Sequence, residues 1–178
     1  MRELTLRQIQ SNPEFFYSEE FWTDSDLIEK YCNSIMSDHG FKTKVIIAFD
    51  ETNAFVTKDH INNNHKIRIP TISFKNKTQE EIEEQILHRS VFLRHELSHI
   101  LYSDFNVLKQ ENQHKIVSKF LLNCLEDVRI EKKFANKYRG SADAFYKLHE
   151  YFFNKNRNII ETSKPTVDYL GLYFISRA

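Results

Sequence analysis

The chain has 178 residues, of which 40% are hydrophobic, 13% aromatic and 28% charged, enough apolar side chain to bury the core of one domain. Its 25 basic and 25 acidic residues cancel, so no global charge draws it to nucleic acid or to an anionic membrane. Its three glycines and three prolines exclude a turn-rich all-β protein or a disordered linker. Two cysteines, Cys32 and Cys124, are too few for a disulfide framework. No apolar run approaches membrane-spanning length, and the first residues lack a signal peptide's apolar centre, so a cytoplasmic protein is expected.

Residues 1–40 read as helical with interruptions. Leu4, Leu6 and Ile9 begin a short segment that Asn12-Pro13 breaks. Phe15, Phe16, Tyr17, Phe21 and Trp22 then gather more large rings than water tolerates and belong in a core. Thr23-Asp24-Ser25-Asp26 carries N-cap side chains ahead of Leu27, Ile28, Tyr31, Ile35 and Met36, and Gly40 marks the stop. Over residues 42–75 the period changes to that of a small sheet, with β-rich runs at Lys44 to Phe49, Asn53 to Thr57 and Lys66 to Ile69. Lys66 and Arg68 point outward before Pro70, which suits an edge strand or a strand with one wet face. Asp59 to His65 reads as polar loop, with His60 and His65 in solvent rather than on a metal.

The helical period returns at Thr78, where Thr78-Gln-Glu-Glu81 fits a capping box. Ile82, Ile86, Leu93, Leu97 and Ile100 form one apolar line and Leu87, Val91, His95, Ser98 and Tyr102 a second, so this helix is expected to be mostly buried. It carries His95-Glu-Leu-Ser-His99. On a helix the four-residue offset puts both imidazoles on one face, where they can grip one zinc ion with Glu96 beside it as a base. Catalytic zinc takes three protein ligands and leaves a position for water. The extended pattern with a glycine and a third histidine fails, because Tyr102 and Phe105 occupy those places. Asp104 is near, but a continuing helix would rotate it away from the histidines.

A better source of the third ligand is residues 114–138, a second long helix. Ile116, Phe120, Ile130 and Phe134 line one side, with Val117, Leu121, Cys124 and Val128 beside them. Asp127 falls in the apolar stripe together with Asn123, and Glu126 falls toward its edge. A buried carboxylate needs a cation or donors, so Asp127 is favoured over Glu126 as the ligand, with an ion pair to Arg129 as the other use of these acids. Residues 141–156, with Phe145, Leu148, Tyr151 and Phe152, read as a helix packed over the second long helix. The chain ends in the apolar run Tyr169 to Ile175, which suggests a piece of something longer. The organisation expected is one domain over residues 1–178: a helical part, the sheet, the metal-site helices over 78–138, and a C-terminal helix and tail.

Together, His95-Glu-Leu-Ser-His99-Ile-Leu-Tyr-Ser-Asp104 and Asn123-x-x-Glu126-Asp127-x-Arg129-Ile-Glu131 resemble zincin-type metallopeptidase domains of bacterial and phage proteins. Those domains are associated with von Willebrand factor A-like domains and related to the cobaltochelatase-subunit-like group. The resemblance covers residues 78–138 and implies an α+β, zincin-like fold, a small mixed β-sheet packed on a mainly helical domain. It implies His95 and His99 as Zn2+ ligands, Glu96 as the catalytic carboxylate and an acid of the second helix as third ligand, with Glu131 and Asn123 supporting the ligands from behind. It also implies association with a von Willebrand factor A-like or ATPase partner, and the host cytoplasm if the sequence is phage-encoded.

The activity expected is hydrolysis of a peptide or protein substrate. Zinc polarises the water and the scissile carbonyl, Glu96 moves the proton to the leaving nitrogen, and Tyr102, Tyr138, His114 or His149 stabilises the oxyanion. The strand Lys66 to Ile69 would pair with an extended substrate. The alternative is a non-catalytic, zinc-stabilised interaction module of a larger ATPase-associated or phage complex.

Overall fold

A computed structural model of the chain describes residues 15, 18–51, 54–59, 61–107, 110 and 119–162, with main chain alone for Phe120, Phe152 and residues 155–162. The segment expected at Leu4, Leu6 and Ile9, the rings of Phe16 and Tyr17, Asn53, His60, His114, Ile116, Val117 and the run Tyr169 to Ile175 lie outside the described residues. The architecture is mixed α+β, and its contacts gather into two compact units, Met1–Leu101 and Tyr102–Ala178.

In the first unit, helix α1 (Glu19–Thr23) starts where the Ser18 hydroxyl accepts from the Phe21 amide at 3.2 Å. Helix α2 (Ser25–Asp38) starts at Asp24, whose Oδ1 accepts from the amides of Asp26 (2.8 Å) and Leu27 (3.3 Å). Gly40, with φ of +74°, follows α2 as the expected stop. Phe21 and Trp22 are fully buried. Their rings meet edge to face at 5.2 Å, and Phe21 also meets Tyr31 at 6.1 Å, which ties α1 to α2.

The sheet comprises β1 (Val45–Asp50), β2 (Phe55–Asp59) and β3 (Asn64–Pro70), in the order β1-β3-β2. β1 runs parallel to β3, with Ile47 opposite Ile67, and β2 runs antiparallel to β3, with Val56 opposite Ile67. β3 is therefore the central strand, which corrects the edge reading of Lys66 to Ile69. With both neighbours on its hydrogen-bonding edges, it has no edge left for an extended substrate. The one-wet-face reading holds, since Lys66 and Arg68 are half-exposed while Ile67 and Ile69 are buried. His65, read as solvated loop, instead lies inside β3, two residues before Ile67 on the buried face.

The outer edge of β1 is occupied by side chains of α2. Asn33 accepts from the Val45 amide (2.8 Å) and donates to the Val45 carbonyl (3.0 Å), and Glu29 accepts from the Ile47 amide at 2.9 Å. These contacts copy part of a strand ladder, so the edge carries bonds without a fourth strand.

Helix α3 (Gln79–Tyr102) opens with the expected capping box. The Thr78 amide donates to Glu81 Oε2 at 2.8 Å and the Glu81 amide donates to Thr78 Oγ1 at 3.2 Å. The same Thr78 amide bond, helped by Lys77, holds the exposed Glu81 carboxyl below its ordinary pKa. Two side chains fix α3 to the exit of β3. Arg89 donates to the carbonyls of Pro70 (2.8 Å) and Thr71, and Gln85 brackets the main chain of Ser73 at 3.2 Å on both sides. Ile86, Val91, Leu93, Leu97 and Ile100 are buried, as the two apolar lines require.

In the second unit, α4 (Lys119–Lys137) and α5 (Gly140–Thr162) form a helical hairpin closed by the Ser141 amide on the Tyr138 carbonyl at 2.8 Å. Ile130, Phe134, Phe145 and Leu148 are buried in it, and the rings of Phe134 and Phe145 meet at 6.2 Å. That is the packing layer expected of residues 141–156. No helix among the described residues is long and apolar enough to cross a membrane.

Candidate metal centre

The apolar positions that bury α3 leave His95 and His99 half-buried, one turn apart on the same face. Their Nε2 atoms stand 3.2 Å from each other, with ring centroids 4.8 Å apart and planes at 85°. Two nitrogens bound tetrahedrally at the usual zinc distance stand about 3.3 Å apart. The pair therefore has the separation that one shared ion requires. Without an ion, the same spacing serves one neutral imidazole donating to the other.

Glu96, between the histidines in sequence, is buried, only 7% exposed. Its helix is held tightly around it. Ser98, fully buried, donates to the Arg94 carbonyl at 2.7 Å. The Arg94 side chain is hydrogen-bonded to Tyr31, whose hydroxyl pKa is raised by burial and pulled back in part by the Arg94 charge. The contact between Arg94 and Tyr31 was not expected from the sequence, because no spacing rule connects residue 31 to residue 94. Burial pushes the pKa of the neighbouring Cys32 thiol far up.

Asp104 is exposed and caps the turn after it, accepting from the amides of Asn106 (3.0 Å) and Val107 (3.2 Å). His65 stands on the sheet, with its Nδ1 buried and without a hydrogen-bond partner among the described residues. Burial first, and the charge of Lys58 second, lower its pKa; Lys58 faces it across the β2 and β3 ladder. The folded state then binds fewer protons than the unfolded one, so stability is fully present above the ordinary histidine pKa. It falls as pH drops through about 6.5 toward the lower folded value. Thermal unfolding between pH 8 and pH 5 is expected to show a shallower loss in His65→Gln than in wild type; equal slopes would remove His65 as the cause.

On α4 the burial order differs from the periodicity. Glu126 is buried, Asp127 half-buried and Asn123 exposed, the reverse of the stripe expected through Asn123 and Asp127. The physical reason is Arg129, one turn on. Its Nε donates to Glu126 Oε2 at 2.6 Å and its Nη2 to Oε1 at 2.7 Å, a fork that compensates the buried carboxylate. Arg129 Nη2 also donates to the main-chain carbonyl of Tyr102 at 2.7 Å. The bonds to Glu126 raise the Arg129 pKa further.

Glu131 is also buried, and its Oε2 lies 3.0 Å from His149 Nε2. His149, considered as an oxyanion donor, thus sits on Glu131. Tyr102, another candidate donor, has its hydroxyl pKa raised by burial, and Lys133 stands 5.9 Å from its ring centroid. The Glu126 and Arg129 pair was legible as an i, i+3 spacing, whereas the reach to the Tyr102 carbonyl has no sequence signal. No family model, no curated protein and no solved structure matches the chain.

Proposed function

We propose that the protein is a zinc-dependent metallopeptidase of zincin type, with His95, His99 and Asp127 as ligands and Glu96 as general base. The observation that carries this reading is the imidazole pair at 3.2 Å on a buried helix, the separation that two ligands of one ion have. Asp127 is the preferred third ligand because both oxygens of Glu126 are already taken by Arg129.

A zinc ion held there supplies Lewis-acid polarisation of a carbonyl and acidification of water. The chain's own part begins with Glu96. Its carboxylate, shielded from bulk solvent, accepts the proton of the attacking water and returns it to the departing amine nitrogen. The buried neighbours Leu97, Ser98 and Ile100 keep this stretch of helix dry, which strengthens the charge interactions made within it.

Metal analysis of purified protein is expected to find one zinc per chain. Asp127→Ala is expected to lose zinc by more than the roughly 10–100-fold that removal of an outer hydrogen-bond partner costs. Glu126→Ala is expected to keep its zinc while losing stability, because it strands Arg129. Wild-type protein without zinc, or equal zinc retention in the two variants, would sink the assignment.

A further inference from the structure

We infer that the hairpin of α4 and α5 holds a ligand site of its own, in which Glu131 fixes His149 as a hydrogen-bond acceptor, and that its ligand is a small aromatic acid carrying a hydroxyl group. The site draws only on residues of the second compact unit, and the inference does not depend on zinc.

The two helices meet along matched faces. Glu131 and Ala135 on α4, and Ala142, Phe145, Tyr146 and His149 on α5, recur at the three- and four-residue spacing of one helix face, and a cavity of about 470 Å³ lies between them. Small-molecule sites run from roughly 300 to 1,000 Å³, so this one has room for a single aromatic ring with its substituents. Phe145 offers a buried ring and Tyr146 an exposed one, surfaces against which a flat aromatic body packs well.

The polar chemistry comes from two places. Glu131 is buried, where a carboxylate without a donor is costly, and His149 Nε2 stands 3.0 Å from its Oε2. A carboxylate oxygen accepts, so Nε2 carries the proton and the neutral ring keeps its lone pair on Nδ1. Nδ1 has no hydrogen-bond partner among the described residues, and His149 lines the cavity. It therefore offers an acceptor to a ligand that donates. Lys132, exposed in the same lining, supplies a cation for an anionic group. Acceptor, cation and rings together call for a molecule that donates one O–H, carries a negative charge and is otherwise aromatic.

4-Hydroxybenzoate and benzoate differ by the donating hydroxyl alone, and metal-free protein leaves their carboxylates no ion to bind. At pH 8, above the ordinary histidine pKa of about 6.5, nitrogen NMR of the full chain is expected to show His149 protonated at Nε2 and not at Nδ1. Adding 4-hydroxybenzoate should shift the Nδ1 resonance, and wild type should bind it at least about 10-fold more tightly than benzoate. Lys132→Met should weaken both acids alike, whereas His149→Phe should bring the two within about twofold of each other. Glu131→Gln, whose amide donates as readily as it accepts, should mix the two tautomers and reduce the preference for the hydroxyl. Equal binding of the two acids by wild type overturns the site, as does no binding at concentrations on the order of millimolar. So does an Nδ1 resonance that 4-hydroxybenzoate leaves in place, or a preference that survives in His149→Phe. The wild-type readouts decide the matter even if His149→Phe does not fold.

Discussion

Glu96→Gln is expected to abolish peptide cleavage while leaving zinc content and fold in place. The amide has almost the shape of the carboxylate, so the buried position remains filled. It has no basic oxygen able to take a proton from water, and loss of a positioned general base costs on the order of 10²–10⁴ in rate. Because Glu96 is not among the proposed ligands, one zinc per chain should persist. The measurement is cleavage of a broad peptide library by zinc-loaded wild type and variant. Retained cleavage in the variant would remove Glu96 from the mechanism. A wild type that binds zinc and cuts nothing would favour the non-catalytic module instead.

Trp22→Ala carries the largest expected loss of stability. The side chain is 1% exposed and packs edge to face against Phe21, itself fully buried, so truncation removes apolar contact and leaves a cavity that the neighbouring rings can fill only in part. About 3–5 kcal/mol is expected, read as a lower urea midpoint at unchanged slope. Phe21 also touches Tyr31, which holds Arg94 beside His95, so zinc affinity should weaken in the same variant. A midpoint within experimental error of wild type would show that the α1 rings do not form a core.

Features set by near neighbours in sequence were legible. The Thr78 and Glu81 capping box, the Asp24 cap and the Gly40 stop each need no more than a few residues of context, and each is found where the local chemistry asks for it. The three strands were also legible from their β-rich runs, with ends shifted by one or two residues. Strand order was not, because it is a relation between residues distant in sequence, as are the bonds of Asn33 and Glu29 to the edge of β1, and no periodicity encodes it. The burial of His65 was missed for the same reason, since a polar residue beside three asparagines reads as loop until β3 is known to be central.

The candidate site divides in the same way. The spacing of His95 and His99 follows from helix geometry and so could be read directly. The burial ranking of Glu126 and Asp127 could not, because helical phase weighs apolar neighbours and not a guanidinium fork. Arg129 makes a buried carboxylate tolerable at a position that phase alone assigns to the rim.

The covered edge of β1 has a consequence for self-association. Cross-β growth needs two pairing edges on every copy, one to accept the chain below and one to offer to the chain above. Here Asn33 and Glu29 take the Val45 amide and carbonyl and the Ile47 amide on one side, and β2 is the outer strand on the other. A second copy pairing on that side would first have to displace these three bonds, so the first half of β1 is the less favourable edge for strand addition.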